Sequence, residues 1–269
     1  EKTNSNTQWV AKTLARAADI TSRDVGYSGM KDRHAVTRQW FSMYLPGTPS
    51  PSLRDLAPEL KVMTVTRSAK KLRRGAHRFN GFIICIREVE GARPALEHRL
   101  QLIREHGVPN YFGEQRFGHS HANLSDADKF FAGHLRLGRG ARRGIVISAA
   151  RSWMFNQVLH QRVVSGAWQS GLVGEWPSTR GASTGPLWGR GMQLADGLPA
   201  AIEGAVAERY QSWATGLESL GMHLERRPLV CMPEDFTFRL HGSDLTLSFS
   251  LRKGEFATAL LRELVSVTQ

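Results

Sequence analysis

The sequence predicts a mixed α/β (α+β) fold with a largely antiparallel sheet drawn from both ends of the chain and a helix-rich segment inserted between them. Three observations point this way. Residues 81–89 run apolar like a strand, through Phe82, Ile83, Ile84 and Ile86. DFTFRL and DLTLSF alternate with period two around His241, Gly242 and Ser243, the pattern of a hairpin. Between them, residues 148–165 and 199–221 repeat their apolar positions at helical spacing. An isolated hairpin is marginal in water, so the C-terminal one is expected to join the sheet begun by the first hundred residues. The expected division is residues 1–106 and 231–269 as two parts of one domain, with 107–230 as the insertion.

The elements follow in order. A helix is expected after the Asn6/Thr7 cap, with Trp9, Val10, Thr13, Leu14 and Ala17 on one face. Pro46, Pro49 and Pro51 mark a loop. Residues 61–66 alternate through Val62 and Val65 and suggest a strand. Residues 95–106 suggest a helix ending at Gly107. A Gly/Trp/Pro-rich stretch, 171–191, separates the two long helical segments. A last helix is expected near 255–265, with Phe256, Leu260, Leu261 and Leu264 on one side.

At 269 residues the chain is long enough for a sizeable core, and 41% hydrophobic with 22% charged residues fits a globular protein rather than a disordered one. No apolar run reaches the roughly 18 residues of a membrane span, and no signal-peptide pattern opens the chain. The first residues, EKTNSNTQW, lack an initiator methionine, so a preceding segment is expected. Cys85 and Cys231 lie in apolar stretches without CxxC spacing, which suggests two buried free thiols and argues against zinc. Thirty-six Lys and Arg against 24 Asp and Glu give a net charge of +12, which favours a polyanionic partner, with nucleic acid the first choice.

GYSGMKDRHAVTRQW, residues 26–40, is the most informative segment. Gly26 and Gly29 allow a tight turn, after which Asp32 stands between Lys31 and Arg33. Cations beside a carboxylate favour its charged form, suited to a nucleophile or general base, although an N-cap or surface ion pair is the plainer alternative. A carboxylate on a surface that attracts phosphate is electrostatically misplaced unless it has a task there. KKLRRGAHRFNGF, residues 70–82, packs Lys70, Lys71, Arg73, Arg74, His77 and Arg78 around Gly75, a density that suggests a phosphate-binding strip rather than a solvated loop. Asn80, at the start of the strand, can hydrogen-bond the edge of a base or cap a turn. In NYFGEQRFG, residues 110–118, aromatic residues flank Arg116, either to stack bases or to form a packed turn. Arg151 opens RSWMFNQVL as a candidate phosphate contact, and Phe256 in LRKGEFATALLREL is a core anchor or a stacking surface.

Taken together, these segments resemble the TruD family of tRNA pseudouridine synthases, in order and over nearly the whole chain. GMKDRHAVTRQW is the most specific part; NYFGEQRFG, RSWMFNQ, PLWGRG and GEFATALLREL carry family-like wording. The resemblance implies a pseudouridine synthase-like catalytic domain interrupted by a family-specific insertion. It implies that Asp32 is the catalytic carboxylate and that Asn80 and Phe256 contact the uridine. It implies no cofactor and no metal, and uridine 13 of certain tRNAs as substrate. Lys31, Arg33, Lys70, Lys71, Arg73, Arg74, Arg78, Arg116 and Arg151 are then the RNA-binding candidates. A cytoplasmic monomer with no membrane partner is expected. The family's N-terminal strand segment, with an aromatic that contacts substrate, has no match here, and residues 174–184 look shortened.

Three rival classes make different predictions. A non-catalytic RNA-binding protein of the same shape would bind without forming product, and an intact GMKDRHAV argues against it. A methyltransferase would want a glycine-rich cofactor loop between strand and helix; GRGARRG, residues 138–144, is too basic and wrongly placed. A glycosidase would want a second acidic residue in a motif with Asp32, and none accompanies it.

Overall fold

The computed structural model describes residues 1–54, 56–176, 181–191 and 195–266. The chain forms two compact units, residues 1–80 and 81–269. Part of the stretch expected to be shortened, residues 177–180, lies outside the described residues.

In the first unit, helix α1 (Thr7–Ala17) packs on strands β2 (Val25–Tyr27) and β4 (Phe41–Met43). These two strands pair antiparallel, and β1 (Lys2–Thr3) pairs antiparallel with β3 (Val36–Thr37). The small core is Ala11, Ala15, Val25 and Tyr27, flanked by Ile20, Phe41 and Met43. The buried residues of α1 are Thr7, Val10, Ala11, Thr13, Leu14 and Ala15, so Trp9 and Ala17 stand outside the buried face. The two alanines let the helix lie close above short strands. Residues 61–66 form no strand, and Val62, Met63 and Val65 are exposed. Alternation supplies an apolar face, but a strand also needs a neighbour for its backbone groups; the described pairing stops at a bridge from Leu60 to Lys2.

The second unit opens in β5 (Phe79–Ile86), whose residues from Gly81 onward belong to it. β10 (Glu234–His241) and β11 (Asp244–Arg252) form the expected antiparallel hairpin, turning at Gly242 with φ +59°, and the sheet order is β10–β11–β5. β11 alternates strictly, burying Leu245, Leu247, Phe249 and Leu251. Against this face lie Leu100 and Ile103 of α2 (Arg93–His106) and Leu260 of α7 (Ala257–Arg262), with Leu264 beyond it. α2 ends at Gly107, whose φ of +72° a side chain would strain. β5 turns Phe82, Ile84 and Ile86 to this core, so Ile83 and Cys85 face outward. Cys231 is buried as expected; Cys85 is exposed because the strand period, not hydrophobicity, sets its side.

Residues 108–230 of this unit are mostly helical: α3 (Ala122–Phe131), α4 (Ala141–Val164), α5 (Gly197–Arg209) and α6 (Gln211–Ser219). The periodic stretch 199–221 is thus two helices, broken at Tyr210, where φ −112° and ψ 40° leave the helical region. Their core joins Ala127, Val146, Ala150, Met154, Val206, Trp213 and Leu217. One short antiparallel ribbon, β6 (Val108–Pro109) with β9 (Val230–Cys231), ties the ends of this region together, and a second pairs β7 (Thr184–Leu187) with β8 (Glu225–Pro228). Two buried ion pairs, Arg162–Glu175 at 2.7 Å and Arg226–Glu203 at 2.8 Å, satisfy charges that would otherwise be costly there. Among the described residues, no helix is long and apolar enough to cross a membrane.

Candidate active site

Asp32 is exposed on the loop between β2 and β3, and the backbone of that loop is held at several points within the first unit. The buried Lys2 donates from Nζ to the Asp32 carbonyl oxygen at 2.7 Å. The Lys31 amide donates to Thr7 Oγ1 at 3.0 Å, at the first turn of α1, and Gln39 Nε2 donates to the Gly29 carbonyl at 3.1 Å. Thr7 Oγ1 in turn donates to Gln39 Oε1 at 3.4 Å. The turn before Asp32 is therefore pinned on both sides while its carboxylate stays open.

Lys31 is half-buried, and its ammonium donates to the side-chain oxygen Oδ1 of Asn80. Burial pushes both the Lys31 and the Lys2 ammonium below the usual lysine range, and the charge of Asp32 opposes the shift in each. Both lysines thus lie within electrostatic reach of Asp32. Lys31 was legible as its sequence neighbour. Lys2 was not: no motif marks it, and only the pairing of β1 with β3 brings it there.

The basic stretch approaches the same loop. The Gly75 amide donates to the Ser28 carbonyl at 2.6 Å, and a Cβ on Gly29 would lie 3.0 Å from the His77 ring. Leu72 N donates to Ser42 Oγ at 2.9 Å, Lys71 Nζ donates to the Arg23 carbonyl, and the Arg74 guanidinium lies 5.7 Å from the centre of the Tyr27 ring. Lys70, Arg73 and Arg78 are exposed, as is Arg33 beside Asp32. Among the described residues, no carboxylate forms a salt bridge with Lys70, Lys71, Arg73, Arg74 or Arg78. A cavity of about 920 Å³ in this unit is lined by Lys2 and by apolar residues including Leu14, Phe41 and Met63; Asp32 is outside its lining.

Phe256 belongs to the second unit, where it is half-buried at the start of α7. Its ring centre lies 5.8 Å from that of Phe112, and the Arg116 guanidinium carbon lies 5.8 Å from it. Arg227, which the sequence did not single out, organises this corner. Its guanidinium lies 4.1 Å from the centre of the Phe112 ring and donates to the Gly254 carbonyl at 2.8 Å and to Asn110 Oδ1 at 2.5 Å. Burial pushes Arg227 down to about 10. Burial also pushes the neighbouring Glu255 carboxyl and Cys231 thiol above their usual ranges.

Arg116 donates to Ser148 Oγ at 3.2 Å and stacks on Phe112 and Phe256. Arg151 behaves differently. Its guanidinium grips three carbonyls, of Trp188 at 2.8 Å, Leu187 at 3.0 Å and His223 at 2.6 Å, and so clasps β7 to the chain before β8. Arg252, on β11, pairs with Glu234 of β10.

The family profile described as tRNA pseudouridine synthase D (TruD) matches residues 1–127 and 175–264. The chain is 44% identical over 276 residues to a tRNA pseudouridine synthase D of Cellvibrio japonicus, covering 99% of this chain and 80% of that protein. It is 42% identical over 274 residues to the protein of the same name from Marinobacter nauticus, covering 98% and 78%. A Methanosarcina mazei crystal structure assigned to TruD superposes with a TM-score of 0.72 at 18% identity, covering 98% of this chain and 86% of that one; at that identity the likeness is one of fold. Sequence motifs, fold and relatives agree: the chain belongs to the tRNA pseudouridine synthase D (TruD) family.

Proposed function

We propose that this chain is a tRNA pseudouridine synthase that isomerises a uridine, at position 13 of its tRNA substrates, with Asp32 as the catalytic carboxylate. The observation that carries the assignment of Asp32 is its setting: an exposed carboxylate on a loop pinned by Lys2, Thr7 and Gln39. Rigid backbone with an open side chain is what a group needs to meet a reacting carbon repeatedly in one geometry.

The reaction breaks the N1–C1′ bond, turns the uracil, and joins C5 to C1′. The proton lost from C5 balances the one gained at N1, so no cofactor enters the stoichiometry. Asp32 either attacks C1′ to form an ester or removes the C2′ proton to form a glycal, and both use its charged form. The ammonium groups of Lys2 and Lys31 offset that charge. The target nucleotide must first leave its stack, at a cost of a few kcal/mol. The exposed cations among Lys70–Arg78 supply phosphate contacts for this. Asn80 hydrogen-bonds the base, and Phe256 offers an aromatic face for stacking, backed by Phe112 and Arg116. Residues 1–106 and 231–269 serve as the catalytic domain, with 107–230 as an RNA-facing insertion, and the enzyme works as a monomer in the cytoplasm.

The test is to incubate the protein with unmodified tRNA, without cofactor or metal, and to map pseudouridine by mass spectrometry. Product at position 13 is expected. Tight, salt-sensitive binding with no pseudouridine at any position would instead show a binding protein that kept the family's shape.

A further inference from the structure

The contact between Lys31 and Asn80 has a chemical direction. A lysine ammonium has three donors and no acceptor, so the Asn80 atom it meets must be the oxygen Oδ1. The two amide positions of an asparagine are usually ambiguous; here the partner removes the ambiguity. With Oδ1 held by Lys31, the Nδ2 group is turned the other way. Among the described residues it donates to no other group. Asn80 therefore has its oxygen engaged by Lys31 and its Nδ2 donors unengaged, at a half-buried position one hydrogen bond from the residue preceding Asp32.

An amide that meets the base through Nδ2 distinguishes the two pyrimidines. Uracil carries a carbonyl oxygen at C4, which accepts from Nδ2. Cytosine carries an amino group there, which also donates, so the pair would face donor to donor with one polar group unpaired. Uracil has a second property that suits the reaction. A half-turn about the N3–C6 axis exchanges N1 with C5 and also exchanges O4 with O2. The donor that holds O4 before the turn meets O2 after it, so its hydrogen bond is available on both sides of the rearrangement.

We propose that Lys31 is a positioning residue that locks the Asn80 amide as a donor toward the base, and that this lock selects uridine over cytidine at the target position. The proposal rests on the reading of Asn80 as a base contact in a pseudouridine synthase. Lys31 acts through Asn80 and not on the base itself. A site built to hydrogen-bond one partner rejects the mismatched one because its own buried polar group is left unpaired.

The experiment measures binding of two unmodified tRNA transcripts, one with uridine and one with cytidine at the mapped target position. Asp32→Asn protein is used throughout, so that uridine is not consumed. The original pair of Lys31 and Asn80 should favour uridine by roughly tenfold to a hundredfold. Lys31→Met frees the amide to turn, and the uridine:cytidine ratio should fall by about tenfold or more. Lys31→Arg, which also only donates, should restore most of it. Asn80→Asp offers acceptors alone and should move the preference toward cytidine, a readout that general loosening of the loop would not produce. An unchanged ratio in Lys31→Met, or an Asn80→Asp protein that still prefers uridine, overturns the proposal. Should Lys31→Met fail to fold, the Asn80→Asp result decides. If the unsubstituted enzyme makes no pseudouridine, the functional reading fails instead, and the two failures are told apart.

Discussion

Lys2 and Asp32 meet through the main chain: the Lys2 ammonium donates at 2.7 Å to the carbonyl oxygen of Asp32, and not to its carboxylate. The lysine therefore fixes where the residue is without capping the group that reacts. Asp32→Asn keeps this backbone contact, so folding and RNA binding should persist. Turnover should fall by at least about a thousandfold, since the substituted side chain can neither attack C1′ nor take a proton. Single-turnover pseudouridine formation, read beside a binding titration, checks both halves. Normal turnover in this variant would remove Asp32 from the mechanism.

Lys70, Arg73 and Arg78 are exposed, with no salt-bridge partner among the described residues. Replacing all three by alanine should weaken tRNA binding similarly for every tRNA. The slope of log affinity against log salt should flatten by up to about one for each phosphate that is no longer neutralised. A slope equal to that of the unsubstituted protein would show that these cations face away from RNA.

Phe256 contributes both packing and an aromatic face. Phe256→Leu retains apolar volume and removes the stacking surface. RNA binding should weaken by about 1–3 kcal/mol, with little change in thermal unfolding. A large drop in melting temperature with unchanged binding would mark the ring as a core anchor only.

Gly26 lies against the basic stretch so closely that an added Cβ would sit 2.4 Å from the Leu72 carbonyl oxygen. Backbone cannot move aside as a side-chain tip can. Gly26→Ala should destabilise the first unit by about 1–3 kcal/mol and lower the denaturant midpoint. An unchanged midpoint would mean that the 70–78 segment is held less firmly than its hydrogen bonds indicate.

Glu255 gives a pH signature. Burial holds its carboxyl above the ordinary value of 4.5, more strongly than the Arg252 amide and the Arg227 charge pull it down. A raised folded value means that the group's contribution is fully present below pH 4.5 and is lost as pH rises through the raised value. Glu255→Gln should therefore match the parent protein near pH 4 and exceed it in melting temperature by pH 8. Equal melting temperatures at both pH values would contradict this.

The elements most legible in the sequence were those whose pattern is local. β10 and β11 follow from strict alternation around Gly242, and α2 ends where Gly107 takes a positive φ. Asp32, Asn80 and Phe256 were legible as members of motifs, and Lys31 as a neighbour of Asp32. The missed features are those that depend on a distant partner. Residues 61–66 alternate like a strand yet form none, because strand formation requires a second backbone. Cys85 is as apolar in context as Cys231, but the register of β5 turns it outward. Arg151 read as a candidate phosphate contact and Arg227 as an ordinary basic residue, and the carbonyls that Arg151 grips and the rings beside Arg227 become partners only on folding.

By itself, then, the sequence determined the chemical inventory: a carboxylate among cations, a basic strip, an amide and an aromatic ring, on elements whose periodicity selects helix or strand. The tertiary structure decided the pairings. It brought Lys2 under Asp32 and turned the Asn80 oxygen toward Lys31, across 30 and 49 residues of chain. Periodicity acts between residues a few positions apart, whereas a hydrogen bond between remote side chains exists only after the intervening chain has packed and lost its freedom.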